Sequence, residues 1–89
     1  MYDISELKVG DIMVCRNAPY RQFFYIHNIN ISREEITTSG VSENSRYTYF
    51  DKSVIWSFDR KATDGEVRLF HELIGRNGLK FNLNTGVTI

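Results

Sequence analysis

Residues 21–31, RQFFYIHNINI, form the longest stretch of the chain that favours extended backbone, because aromatic and β-branched side chains pack well on a pleated surface. Phe23, Tyr25, His27, Ile29 and Ile31 alternate onto one face, with Phe24 and Ile26 on the other. That is the two-residue period of a strand. Apolar residues on both faces predict a strand that is half buried on each side, or kinked.

Working outward, residues 2–7 read as a short helical turn and Lys8-Val9-Gly10-Asp11 as a tight turn, with glycine supplying the permissive backbone. A first strand spans 12–16, with Ile12 and Val14 on one face, and a loop holds the only proline, Pro19. On the other side, Ser32-Arg33-Glu34-Glu35 has a capping spacing, but the β-branched Ile36-Thr37-Thr38 favours a turn into a third strand. Glu43-Asn44-Ser45 and Asp51-Lys52-Ser53 read as turns around a fourth strand, 46–50, with Tyr47 and Tyr49 on one face. A fifth strand, 54–58, aligns Val54, Trp56 and Phe58. Short strands between turn signals predict a small antiparallel β-barrel, SH3-like or, alternatively, OB-like.

The last third changes period. Thr63-Asp64-Gly65-Glu66 has the spacing of a capping box. Val67, Leu69, Phe70, Leu73 and Ile74 then recur at helical spacing. Gly78 suits the left-handed closing position, from which Leu79 folds back on Leu73 or Ile74. The expected class is therefore α+β: one domain over 1–89, with a β-barrel body at 1–59, a helix at 60–78 and a terminal hairpin or tail at 79–89.

Arg60-Lys61-Ala62-Thr63, Glu66, Leu69-Phe70, Leu73, Gly78, Phe81-Asn82 and Thr85 resemble a C-terminal module of small proteins encoded by bacteriophages and mobile elements of gut bacteria. Asp64-Gly65 stands where that module has Pro-Glu. The module follows an SH3-like segment opening with a Lys-x-Gly-Asp turn, as Lys8-Val9-Gly10-Asp11 does here. The resemblance implies a barrel-plus-helix architecture and a phage or mobile-element setting, and it implies no activity.

Composition narrows the functions. Eleven basic residues balance eleven acidic ones, whereas a general nucleic-acid binder carries a basic excess. Cys15 is the single cysteine, and the opening residues have neither the basic nor the apolar region of a secretory signal. A cytoplasmic location is the expectation. Cys15, His27 and His71 do not stand at metal-ligand spacings, so no metal and no cofactor is expected. Cys15 would serve as a nucleophile only if His27 lay beside it. No phosphate loop or nucleophile elbow is present, and the chain is read as no enzyme.

Aromatic residues make up 13% of the chain, five Tyr, six Phe and one Trp. That is more ring surface than one small core is expected to hold. Phe24, Ile26, Trp56 and Phe58 are assigned to the core. Tyr20, Tyr25, Arg46, Tyr47 and Tyr49 are assigned to a binding surface, with Arg21 and Arg33 close by. Tyr and Arg dominate the energetics of protein interfaces. The expected function is a non-enzymatic protein-interaction module, such as a phage-encoded protein that binds or inhibits a host protein. The alternative is single-stranded nucleic-acid or nucleotide binding on the aromatic face.

Overall fold

The computed structural model describes residues 3–17, 19–44, 47–53 and 58–89, with backbone alone at 16, 17 and 47–53. Asp3 caps a 3-10 turn, Ile4–Glu6, with a reciprocal capping box. The Lys8–Asp11 turn follows, with Gly10 at φ 102°, a conformation that costs other residues dearly. Gly10 N–H donates to the Ile26 carbonyl at 2.8 Å, and Ile26 N–H to the Asp11 carbonyl at 2.9 Å. The turn is thereby stitched to the long strand before the first strand begins.

β1 (Ile12–Asn17) and β2 (Tyr20–Asn30) form an antiparallel hairpin with Val14 opposite Phe23. β2 ends at Asn30, which caps a second 3-10 turn, Ile31–Arg33. Glu34 then takes a left-handed conformation, φ 52°. Ser32–Glu35 is therefore a turn, not the start of a longer helix, and β3 (Glu35–Ser42) returns along β2. β4 (Tyr47–Ser53) pairs with β3. The turn expected at Asp51-Lys52-Ser53 is instead strand, because Ser53 is held opposite Ile36 in the ladder and pairing overrides local turn preference. Residues 54–57 of the expected fifth strand, Trp56 among them, lie outside the described residues. The described β5 (Arg60–Lys61) is two residues long and pairs with β1, Met13 opposite Lys61. The strand order is β4-β3-β2-β1-β5. Among the described residues no ladder joins β4 to β5, so the β-layer is an antiparallel sheet of four strands plus the short β5.

The sheet is apolar on both faces. Val14, Phe23, Tyr25 and Val41 form one cluster, and Leu7, Met13, Phe24, Ile26, Ile36 and Phe58 form another. The single-face alternation read for 23–31 breaks at His27. The pairing of β2 with β3 shifts between Ile26 and Asn28, which inserts one unopposed residue and reverses the facing beyond it. Ile29 consequently packs against the second cluster, with Ile26, instead of against Tyr25. Ile31 is exposed. Among the described residues five rings, Phe23, Phe24, Tyr25, Phe58 and Phe70, are buried across the two clusters. Two faces thus absorb rings that one could not.

Helix α1 (Asp64–Arg76) covers the first cluster with Phe70, Leu73 and Ile74. Thr63 is its cap, its Oγ1 accepting from Glu66 N–H at 3.3 Å while Glu66 Oε1 accepts from Thr63 N–H at 3.0 Å. Thr63→Ala should cost ~1 kcal/mol, measured as a lower urea midpoint at unchanged slope. Gly78, at φ 68°, closes the helix, and Leu79 N–H returns to the Ile74 carbonyl at 2.9 Å. Residues 79–89 form a hairpin, β6 (Lys80–Asn82) with β7 (Gly86–Thr88). The hairpin docks on the sheet: Val87 is fully buried, and its N–H donates to Ser39 Oγ at 2.7 Å. No helix among the described residues is long and apolar enough to cross a membrane.

Candidate binding cleft

Where the β1–β2 loop, the end of β3 and the start of β5 meet, the surface forms a cleft of about 850 Å³. Pro19 and Tyr20 supply one wall, and Arg21, Glu43, Asp59 and Arg60 the polar part of the lining. Proline fixes its own backbone torsion and stiffens the turn that carries Tyr20. Tyr20 is 45% exposed, a large ring set on the rim.

Beneath the cleft lies an ion-pair network that crosses the fold. Arg21 donates through Nε to Glu43 Oε1, and through Nη1 to Glu66 Oε2 at 2.8 Å. Arg60 grips the same Glu66 with both Nη atoms, Nη2 at 2.8 Å from Oε2. Glu66 is 6% exposed, yet it accepts from two guanidiniums and from Thr63. The Arg60 guanidinium, opposed by burial and assisted by the Thr63 N–H and Arg21, holds the Glu66 carboxyl well below the usual carboxylate range. Arg21 in turn is pushed up, chiefly by its bond to Glu43. Its guanidinium carbon lies 5.7 Å from the centre of the Phe23 ring, so stacking holds it as well. Arg21 and Glu43 also share backbone bonds: Arg21 N–H donates to Glu43 Oε1 at 3.2 Å, and Glu43 N–H to the Arg21 carbonyl at 3.0 Å. The polar floor of the cleft is thus cross-tied between β2, the end of β3 and α1.

Of the residues assigned to a binding surface, the structure places Tyr20 on this cleft. Tyr25 is not on the surface. It is 4% exposed, its hydroxyl donates to the Leu83 carbonyl at 3.0 Å, and its ring meets Phe81 edge-on at 4.8 Å. The sequence leaves residues 79–89 open between hairpin and tail; they form a hairpin, and its docking buries the ring. Burial raises the Tyr25 hydroxyl pKa. Arg46 lies outside the described residues. Tyr47 and Tyr49 stand opposite Val41 and Ser39 in the β3–β4 ladder, and their side chains lie outside the described part. Arg33, expected nearby, sits past the far end of β2, paired with Glu35 at 3.3 Å. Cys15 faces Gln22 in the β1–β2 ladder, and His27 lies beyond that ladder's end, stacked on Tyr25. They are not neighbours.

Glu43, Arg60 and Glu66 carry the cleft's polar floor without having been singled out for it. Glu66 was legible as a capping residue, but its bond to Arg21 spans 45 positions, a separation no local spacing encodes. Comparison with known proteins found no matching family model, no matching curated protein and no matching solved structure.

Proposed function

We propose that this chain is a non-enzymatic protein-interaction module, a phage or mobile-element protein acting on a host protein in the bacterial cytoplasm. Its sheet is, on this reading, an SH3-like barrel whose cleft receives the partner. The observation that carries the reading is Tyr20, an exposed ring on the rim of a cleft whose arginine is already fixed. Tyr and Arg are, with Trp, the residue types enriched among the hot spots of protein interfaces. Preorganisation supports it too, since an arginine that is already ordered loses little entropy on binding. Arginines and acids balance in the cleft's described lining, Arg21 and Arg60 against Glu43 and Asp59, with no basic excess. That balance disfavours a phosphate backbone.

The test is a partner identified by cross-linking in host lysate, purified, and titrated against the chain. Tyr20→Ala should weaken that complex by at least ~2 kcal/mol and leave the melting temperature within a degree or two. An unweakened complex would remove Tyr20 from the interface. A titration with single-stranded oligothymidylate at two salt concentrations tests the nucleic-acid alternative. Tight, strongly salt-dependent binding would replace the protein reading.

A further inference from the structure

Arg21 and Glu43 each use part of their hydrogen-bonding capacity within the fold. Glu43 Oε1 accepts both the backbone N–H and Nε of Arg21, and among the described residues Oε2 has no partner. Arg21 places Nε on Glu43 and Nη1 on Glu66, and among the described residues Nη2 has no partner. Both side chains line the cleft and are about one-third exposed. The bonded pair therefore offers one donor, Arg21 Nη2, and one acceptor, Glu43 Oε2, on two side chains tied together through their other polar atoms.

A fixed donor beside a fixed acceptor complements a group that presents an acceptor and a donor in return. One residue of an extended peptide does so, because its own N–H and C=O point to the same side of the chain. A phosphate or carboxylate offers acceptors alone and would set its charge against Glu43 Oε2. A lone ammonium or guanidinium offers donors alone and would meet Arg21 Nη2. Resting on the protein-interaction reading above, we propose that Arg21 and Glu43 read the main chain of an extended partner peptide. Arg21 Nη2 donates to a peptide carbonyl, Glu43 Oε2 accepts a peptide N–H, and Tyr20 packs against the flanking side chain. Because the contact is to backbone, it sets the position of the peptide without dictating its sequence. Selectivity is left to the wall formed by Pro19 and Tyr20. A donor–acceptor pair of side chains here does the work that a free sheet edge does in strand addition.

The test begins with random heptapeptides displayed on phage and panned against the whole chain. A selected peptide is then synthesised with each backbone nitrogen methylated in turn. One methylation should weaken binding ~10-fold, the cost of a lost bond to a charged acceptor. Against Glu43→Ala the same methylation should cost nothing, because the acceptor is already gone. Should Glu43→Ala unfold, the carbon-13 shift of the Glu43 carboxylate in the wild-type chain gives the same answer. It should move on adding the parent peptide and stay put with the methylated one. A Tyr20-dependent peptide with no methylation effect coupled to Glu43, and no Glu43 carboxylate shift, would overturn the inference and leave the interaction reading standing. Failure of every peptide to bind in a Tyr20-dependent way would sink both.

Discussion

Gly40→Ala should abolish stable folding. Gly40 sits in the middle of β3 opposite Phe24, and a Cβ there would fall on the Phe23 carbonyl oxygen and within 3.1 Å of the Phe24 Cα. Those atoms are backbone of the central strand, so they cannot swing aside as a flexible side chain would. The sheet must open at the point where both clusters are anchored, Phe23 in one and Phe24 in the other. Overpacking typically costs ~1–3 kcal/mol and occasionally more. With backbone as the clashing atoms, a cost at or above the top of that range is expected, a large share of the stability of a small domain. Circular dichroism should show loss of the cooperative melt. Gly75→Ala is the control: it lies in α1 with nothing within 4 Å of its Cβ position. It should raise stability by ~0.5–1 kcal/mol. A Gly40→Ala chain melting like the wild type would refute the close approach of β2 and β3.

Glu66→Ala should be the next most damaging change. It removes the reciprocal half of the helix cap and strips the shared anion from Arg21 and Arg60. Breaking a fully buried ion pair costs 3–5 kcal/mol. Here the arginines are partly solvated, which lowers the penalty, and a loss of ~3 kcal/mol is expected. Glu66→Gln keeps shape and cap but not charge, and should recover part of it. The sign of the pH effect follows from the lowered pKa. The unfolded carboxyl titrates near its ordinary value of 4.5, and the folded one lies well below. Glu66 therefore stabilises the fold fully above 4.5, and this contribution fades as pH falls through the interval beneath it. The wild type should lose up to ~1.4 kcal/mol per pH unit there from this one group. In Glu66→Gln that share of the slope should vanish, which urea titrations at several pH values will measure.

Local signals in the sequence were faithful where one element satisfies itself. The Thr63–Glu66 box, the Phe70–Leu73–Ile74 stripe, the Gly10 and Gly78 turns and the span of β2 all depend on neighbours within a few positions. What was not legible depended on distance along the chain. The reversal at His27 arises from how β3 lies on β2, so Ile29 was placed on the wrong face. Asp51–Ser53 has turn composition, yet Ile36 draws it into the ladder. Tyr25 and Tyr20 look alike in sequence, but the Phe81 hairpin covers one and leaves the other exposed. The cleft's floor was hidden for the same reason. Arg21, Glu43 and Glu66 come from three separate parts of the chain, and nothing local to any of them encodes their meeting.

The docking of Val87 into the helix-side cluster has a consequence for how the chain is made. Val14, Phe23, Tyr25 and Val41 leave the ribosome well before Phe70, and long before Val87, the residues that shield them. Nascent sheet therefore waits with one greasy side turned to water, and contacts of such long sequence separation form slowly. During that interval a neighbouring nascent chain offers the same bare strands. Stop codons introduced between residues 62 and 86 should thus yield insoluble product in place of shorter folded domains.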